Sequence, residues 1–221
     1  MSLPSVLPVT LPVTDGGRFP VRRVFCVGRN YAEHAREMGH DSREPPFFFG
    51  KHAEALWTAA EVPYPPRTTD LQHEVELVVV LGRDLDPADP RAAIFGYAVG
   101  VDLTRRDLQA AAKRQARPWH LAKSWVGAAP IGVLGPAAQL GHPRSGAITL
   151  EVGGECRQRG DLAEMIWNVE ELLAELRSYD RLLAGDVVFT GTPAGVGPLL
   201  PGDQVRAAIA GVGELRFAIT G

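Results

Sequence analysis

Cysteine is scarce in this chain, and its scarcity excludes several classes of site. Cys26 and Cys156 are the only two cysteines among 221 residues. No second cysteine lies at metal-ligand spacing from either one, so neither indicates a nucleophile or a metal ligand. Free thiols in a reducing compartment fit this usage better than a disulfide does.

The chain also lacks any block of basic residues and any long apolar run. Its 23 Lys and Arg against 26 Asp and Glu give a formal net charge of −3, which argues against a nucleic acid or an anionic membrane as the main partner. No apolar run approaches the roughly 20 residues that are needed to cross a bilayer. We therefore expect neither nucleic-acid nor membrane binding.

The first residues, MSLPSVLPVTLPVT, contain no basic segment and are broken by prolines. They predict an extended arm over residues 1–20 rather than a signal peptide, which leaves the cytoplasm as the default location. With 45% hydrophobic and 22% charged residues, the chain has the composition of an ordinary globular protein. We expect a single domain over residues 21–221.

Glycine and proline are frequent, at 24 and 18 residues, and they separate short runs rich in β-forming residues. This punctuation is typical of a protein with many strands and turns. It predicts strands at 23–28, 74–82, 94–102, 147–152, 186–190, 204–209 and 214–219, with hairpin turns at VGGEC and IAGVGEL. Helical spacing predicts helices in NYAEHAREMG, TRRDLQAAAKRQA and NVEELLAELRSY. The fold class is therefore α+β, dominated by strands.

The predicted strand in LQHEVELVVVLGRDL carries two glutamates on one face. Side chains alternate across a strand, so Glu74, Glu76 and Val78 share one side of it. Neighbouring carboxylates in a partly buried place cost stability unless a cation lies between them. Mg²⁺ or Mn²⁺ suits such a site because both ions prefer oxygen ligands. The alternative is a solvent-facing edge strand, and the spacing alone does not separate the two.

A third carboxylate, Asp102, ends the apolar run FGYAVGVD and precedes a predicted helix that Thr104 would open. At a strand end its side chain can reach a cleft shared with the glutamates. An aspartate in front of a helix most often caps that helix, so capping is the alternative.

Two further groups have both a chemical and a simpler interpretation. His34 and Glu37 lie three residues apart on a predicted helix, where the carboxylate can orient the imidazole and raise its basicity. They can equally form a surface ion pair of little energetic value. Lys123 lies between Trp119 and Trp125 in RPWHLAKSW, where burial would be unusual for a lysine. The simpler interpretation is a lysine whose stem packs while its ammonium reaches water.

Taken together, these segments resemble the fumarylacetoacetate hydrolase family from about Val24 to the C-terminus, closest to its fumarylpyruvate hydrolase and acylpyruvase branch. The ordered set of motifs is far more specific than any single one. It comprises VGRNYAEHAREMG, FGK, HEVELVVVLGRDL, GVDLTRRDLQ, RPWHLAKSW and GDVVFTGTPAGVGPLLPGDQV.

The resemblance implies the family's fold, a mixed β-roll of packed sheets, and makes residues 21–221 a catalytic domain. Glu74, Glu76 and Asp102 match the family's metal ligands, which implies Mg²⁺ or Mn²⁺ as the cofactor. His34, Glu37 and Lys123 match its catalytic residues. The positions that match its substrate pocket are Lys51, Arg106, Gln109 and Thr192. The resemblance also implies a homodimer.

The implied activity is hydrolysis of a C–C bond in a 2,4-dioxo acid, with fumarylpyruvate giving fumarate and pyruvate. The family also contains oxaloacetate decarboxylases and isomerases or hydratases of related dioxo acids, and a shared fold does not choose among them. His52 and His120 depart from the residues that relatives often carry, which bears on the identity of the substrate. A non-catalytic, metal-stabilised domain is the remaining alternative, and it leaves Lys123 and the pair of His34 and Glu37 unexplained.

Overall fold

The structure is a computed structural model, and it describes residues 3, 5, 7–31 and 44–221. The helix predicted in NYAEHAREMG, with His34 and Glu37, lies outside these residues except for Asn30 and Tyr31. Tyr31 forms an isolated antiparallel bridge with Met165.

Strands dominate the described part of the chain, and the prediction of a β-rich α+β fold is confirmed. The strands are β1 Thr10–Pro12, β2 Arg18–Pro20, β3 Arg23–Gly28, β4 Phe47–Lys51, β5 Leu56–Trp57, β6 Glu61–Pro63, β7 Leu71–His73, β8 Val75–Leu81, β9 Ile94–Val101, β10 Thr104–Arg105, β11 Ala129–Pro130, β12 Gly135–Pro136, β13 Ala147–Val152, β14 Glu155–Asp161, β15 Asp186–Phe189, β16 Gly197–Leu199, β17 Gln204–Ile209 and β18 Gly213–Thr220. The α-helices are α1 Arg106–Arg114, α2 His120–Lys123, α3 Ala137–Leu140 and α4 Val169–Tyr179, and short 3₁₀ helices span Ala53–Ala55, Pro90–Ala93 and Leu162–Glu164.

The central sheet has six strands in the order β12-β9-β8-β15-β3-β4. Its strand β8 pairs antiparallel with both β9 and β15, so it is an interior strand. Both faces of β8 are covered: Leu77 and Val79 belong to one core cluster, and Val78 and Val80 belong to the other. The predicted alternation is therefore confirmed, and burial on both sides explains why the run is almost continuously apolar.

A five-stranded sheet, in the order β14-β13-β17-β18-β6, packs against one face of the central sheet. Both predicted hairpins are confirmed. The first joins β13 to β14 through Gly153 and Gly154, whose φ angles of 60° and 86° suit a turn that requires positive φ at both central residues. The second joins β17 to β18. A smaller sheet, β10-β7-β16, lies where the functional site forms.

Two of the predicted helices form, with one correction at a start. Helix α4 begins after Asn168, whose side chain and that of Glu171 form a capping box. The expectation that Thr104 opens a helix is wrong, because Thr104 and Arg105 pair with β7 as β10 and α1 begins at Arg106.

Part of the segment predicted as an arm is a hairpin. Strands β1 and β2 pair antiparallel, and Leu11 and Val13 are buried in the second core cluster. This hairpin helps to cover the face of the central sheet that points away from the five-stranded sheet. Among the described residues, none of the helices has the length and apolar character required to span a membrane.

Candidate metal centre and cleft

Three carboxylates meet at the junction of β7, β8 and β9. Glu74 connects β7 to β8, Glu76 lies in β8, and Asp102 directly follows β9. The antiparallel register pairs Val75 with Val101, and the Asp102 amide donates to the Glu74 carbonyl at 2.8 Å. Residues far apart in sequence are thereby brought together, with one oxygen from each side chain within 4.8 Å of the others.

These carboxylates are buried, which decides two of the alternatives raised by the sequence. Glu74 is 6% exposed, Glu76 1% and Asp102 0%. A solvent-facing edge strand is excluded because β8 is interior. Asp102 is not a helix cap either, since residue Arg105 precedes α1 and no side chain caps it.

Lys123 is buried against two of the three carboxylates. Its Nζ donates to Glu74 Oε2 and to Asp102 Oδ2, each at 2.8 Å. Burial alone would lower the pKa of Lys123, but Asp102 and Glu74 outweigh it and raise that pKa above its usual value. The ammonium is therefore charged at neutral pH, and the simpler interpretation of a lysine that reaches water is excluded.

Glu74 has a second cationic partner, Arg106, whose guanidinium donates to Glu74 Oε1. Burial alone would raise the pKa of Glu74, but Lys123 and Arg106 outweigh that effect and hold the pKa well below its usual range. Glu74 is therefore an ionised carboxylate that is available to a cation.

Glu76 is in the opposite electrostatic situation. Its Oε2 accepts a hydrogen bond from the Gly191 amide at 2.7 Å, and within the described ranges no lysine or arginine forms an ion pair with it. Burial raises the pKa of Glu76 well above its ordinary value, and the neighbouring Asp102 and Glu74 raise it further. A bound cation would remove this penalty.

Asp102 is also paired with a second lysine. Lys51 Nζ lies 2.7 Å from Asp102 Oδ1, and the same ammonium donates to the carbonyls of Leu103, Lys123 and Ala128. Three buried carboxylates, of which Glu76 has no cationic partner among the described residues, form an all-oxygen donor set. This set fits Mg²⁺ or Mn²⁺.

Lys51 therefore lies behind Asp102 rather than in the cleft. It is 4% exposed and is not among the residues that line the cleft in front of the carboxylates. The sequence predicted it as a substrate-binding residue, which stays a prediction, and in the structure its ammonium pairs with Asp102.

The cleft itself combines acidic, basic and aromatic side chains from several elements. Helix α1 contributes Arg106 and Gln109, which hydrogen bond to each other through Nη1 and Oε1 at 2.7 Å. The lining residues are Val27, Gly28, Arg29, Phe47, Phe49, Glu74, Glu76, Arg106, Gln109, Lys113, Trp119, Lys123 and Thr192. Three of the four residues predicted to bind substrate, Arg106, Gln109 and Thr192, thus face the same cleft as the carboxylates.

Several of these residues were not singled out from the sequence. Lys113 lies one helical turn beyond Gln109 and two beyond Arg106. The helical period alone therefore places it on the same face as those two residues. Its ammonium lies 5.0 Å from the centroid of the Trp119 ring, which fixes two sides of the cleft relative to each other. Arg29 and Phe47 form a similar pair at 5.3 Å, and no sequence pattern indicated it.

The proposed dyad, His34 and Glu37, lies outside the described residues, but Asn30 before it and Glu44 after it both contact Trp167. The Asn30 side chain binds both the amide and the carbonyl of Trp167, and the Trp167 ring nitrogen donates to the carbonyl of Glu44 at 3.1 Å.

His52 and His120, the two departures from the family pattern, adjoin the buried lysines. His52 follows Lys51, and His120 lies in the same helical turn as Lys123. Their ring centroids are 6.2 Å apart. Neither ring lines the cleft.

Packed mixed β-sheets with three converging carboxylates and a buried lysine define a class of β-roll protein that binds a divalent metal. The chain belongs to the fumarylacetoacetate hydrolase family: the family model described as Fumarylacetoacetate (FAA) hydrolase C-terminal matches residues 23–220. The resemblance found in the sequence is thereby confirmed, and members of this family are enzymes that act on dioxo acids.

Individual relatives carry two different names. A crystal structure of fumarylpyruvate hydrolase from Pseudomonas aeruginosa, in complex with Mn²⁺ and pyruvate, is 46% identical, with a TM-score of 0.95 and coverage of 99% of this chain and 98% of that one. Oxaloacetate tautomerase YcgM of Escherichia coli is 41% identical over 87% of this chain and 90% of its own length. Oxaloacetate tautomerase FAHD1 of Arabidopsis thaliana is 39% identical over 89% and 90%.

Proposed function

We propose that this protein hydrolyses the C–C bond of an acylpyruvate, most specifically fumarylpyruvate to fumarate and pyruvate, with Mg²⁺ or Mn²⁺ as its cofactor. The observation that carries the proposal is the 46% identical fumarylpyruvate hydrolase with Mn²⁺ and pyruvate, which this chain matches over 99% of its length. The carboxylate cluster supports the metal, and the cleft in front of it supports an acidic substrate.

The charges of the cleft favour a substrate with carboxylates. Four cationic side chains line it, namely Arg29, Arg106, Lys113 and Lys123, against the two carboxylates of Glu74 and Glu76. Adding the buried Asp102 still leaves the cations in excess, and a divalent metal would add two further positive charges. A dioxo acid with a carboxylate at each end would balance that excess, as would a smaller dicarboxylate.

The chain's own residues account for binding and for stabilising the leaving group. When bound, the divalent cation would supply Lewis-acid stabilisation of the enolate that leaves as pyruvate. Lys123 would add a positive charge on the same side, because its ammonium is buried next to Glu74 and Asp102. Arg106 and Gln109, already joined by a hydrogen bond, would hold the substrate carboxylate in place.

Water activation is assigned to the dyad. His34 would take a proton from the water that attacks the C4 carbonyl, and Glu37 would orient the imidazole and raise its basicity. General base catalysis of this kind contributes about 10²- to 10⁴-fold. The proton on His34 would then be available to the departing carbon.

Oxaloacetate tautomerase activity is the second candidate, because relatives that are 39% and 41% identical carry that name. Keto–enol exchange moves a proton between C3 and an oxygen of the substrate and consumes no water. The same cleft would hold oxaloacetate through its two carboxylates. Decarboxylation and hydration of related dioxo acids would also use this arrangement. The two main candidates therefore differ in the need for an attacking water.

One assay separates the candidates. The purified protein with Mn²⁺ is incubated with fumarylpyruvate, other acylpyruvates and oxaloacetate, the enol absorbance is followed, and products are identified by mass spectrometry. We expect fumarate and pyruvate in equal amounts, dependent on the metal. Rapid change of the oxaloacetate enol signal without new products, together with intact acylpyruvates, would favour the tautomerase instead.

Three attributes complete the proposal. The partner is a small dioxo acid, the assembly is a homodimer by family resemblance, and the location is the cytoplasm. A non-catalytic metal domain is disfavoured because it would leave the proposed dyad, His34 and Glu37, unexplained.

A further inference from the structure

Gln158 is a fully buried amide in an otherwise exposed stretch of chain. It lies in β14, the edge strand of the five-stranded sheet, between the exposed Arg157 and Arg159. Its side chain leaves that sheet and reaches residues next to the carboxylate cluster. A buried glutamine of this kind requires partners for its amide, and every partner found belongs to another element.

The partners determine which way the amide points. The Pro193 carbonyl can only accept, so the atom 2.9 Å from it is the donor Nε2. The Val75 amide can only donate, so the atom 3.0 Å from it is the acceptor Oε1. Two backbone groups on opposite sides thus fix the orientation independently of any side chain.

This orientation fixes the role of the Thr192 hydroxyl. Gln158 Nε2 donates to Thr192 Oγ1 at 2.8 Å, so Thr192 accepts from the protein. In the part of the chain that the structure describes, the hydroxyl hydrogen has no protein acceptor. Thr192 is 3% exposed and lines the cleft with Glu74 and Glu76. Its hydrogen is therefore left for a ligand.

The same orientation fixes the neighbouring His73. The ring Nδ1 lies 2.9 Å from Gln158 Oε1, which accepts, so Nδ1 carries the hydrogen. Nε2 is buried and has no partner in the described structure. The Gln158 side chain therefore hydrogen bonds to three groups: the His73 ring, the backbone amide of Val75 between the two glutamates, and the Thr192 hydroxyl.

We propose that Gln158 is a positioning residue that turns the Thr192 hydroxyl into a hydrogen-bond donor toward a carboxylate oxygen of the substrate. The proposal deepens the proposed function, on which its substrate class rests. Without Gln158, the Pro193 carbonyl would lose its donor, and the Thr192 hydroxyl would lose the hydrogen bond that leaves its hydrogen for the ligand.

The test measures binding of oxalate, a minimal dicarboxylate probe, to the Mn²⁺-loaded protein by calorimetry. Thr192→Val should weaken oxalate binding by about 10- to 100-fold, the value of a hydrogen bond to a charged group. Gln158→Met should weaken it by a similar factor. The double variant should be no weaker than Thr192→Val alone, because the two residues act through one hydrogen bond. In turnover, the loss should appear mainly in KM.

Controls separate positioning from general damage. Leu150 is paired with Gln158 in the neighbouring strand. Leu150→Ala removes core packing at this position, so it should lower the stability of the protein and leave its oxalate affinity unchanged. Thr192→Ser keeps the hydroxyl and should retain binding. If Gln158→Met does not fold, Gln158→Asn takes its place, since it keeps the amide but is too short to reach both Val75 and Thr192.

Each outcome decides the proposal. Additive losses in the double variant, or equal oxalate affinity in Thr192→Val and the parent, would overturn it. If the losses of oxalate affinity are non-additive as expected but no dioxo acid is turned over, the proposed function would be overturned and the positioning role would stand. A Mn²⁺-loaded parent that does not bind oxalate would overturn the positioning role.

Discussion

Glu76→Gln should abolish tight binding of Mg²⁺ or Mn²⁺ while leaving the metal-free fold intact. Even residues that only orient a metal ligand typically contribute 10- to 100-fold to affinity, so loss of a ligand should cost at least about 100-fold. The amide can still accept from the Gly191 amide. Because it also removes a buried carboxylate next to Asp102, the metal-free variant should be at least as stable as the parent protein.

The measurement is calorimetric metal titration combined with thermal unfolding. In the parent, metal at 100 times its Kd should add about 2.7 kcal/mol of stability, and this increment should vanish in Glu76→Gln. Lys113→Met is the matched control, since Lys113 lines the cleft but forms no ion pair with the carboxylates. Unlike Glu76→Gln, Lys123→Met should lower the stability of the metal-free protein, because Glu74 and Asp102 lose the ammonium that they share. Unchanged metal affinity in Glu76→Gln would exclude it as a ligand.

His34→Ala should reduce kcat and kcat/KM on an acylpyruvate together, by about 100-fold or more, because a transition-state interaction is removed. Metal affinity should change little, since the metal site is formed by Glu74, Glu76 and Asp102. Glu37→Gln should give a smaller loss of the same kind, as it spoils the orientation of the imidazole but leaves the base present. Steady-state kinetics with product identification provides both parameters.

His142→Asn is the matched histidine control. His142 hydrogen bonds to Tyr97 and does not line the cleft, so its loss should leave turnover at the parent rate. Parent-rate hydrolysis by His34→Ala would mean that water activation does not pass through this residue. The tautomerase candidate, which needs no attacking water, would then be the better account.

The strands and the carboxylate cluster were predictable because their signals are local. Period-two alternation in VELVVVL and the Gly-Gly turn of VGGEC depend only on backbone geometry, and both are confirmed. The ordered motifs identified the family, which the family model confirms over residues 23–220. Alternation also placed Glu74 and Glu76 on one face, but burial, which decides between a metal site and an edge strand, depends on the neighbouring strands.

Contacts between distant segments were beyond the sequence. Lys51 and Asp102 lie far apart in the sequence. Nothing in FGK indicates that the Lys51 ammonium pairs with the Asp102 carboxylate. Gln158 lies in the polar run ECRQRGD, which suggests a solvated hairpin, and only the packing of the two sheets buries its side chain. The helix start was misplaced because β10 pairs with the distant β7, which local propensity at Thr104 does not register.

The central claim is that one divalent cation, held by Glu74, Glu76 and Asp102, organises chemistry on a dioxo acid in this cleft. Crystals grown with Mn²⁺ and oxalate, measured at the manganese absorption edge, test it most directly. The account predicts an anomalous peak within coordination distance of an oxygen of each carboxylate, with oxalate between that peak and Arg106. Manganese bound elsewhere, with none of the three carboxylates within coordination distance of it, would contradict it.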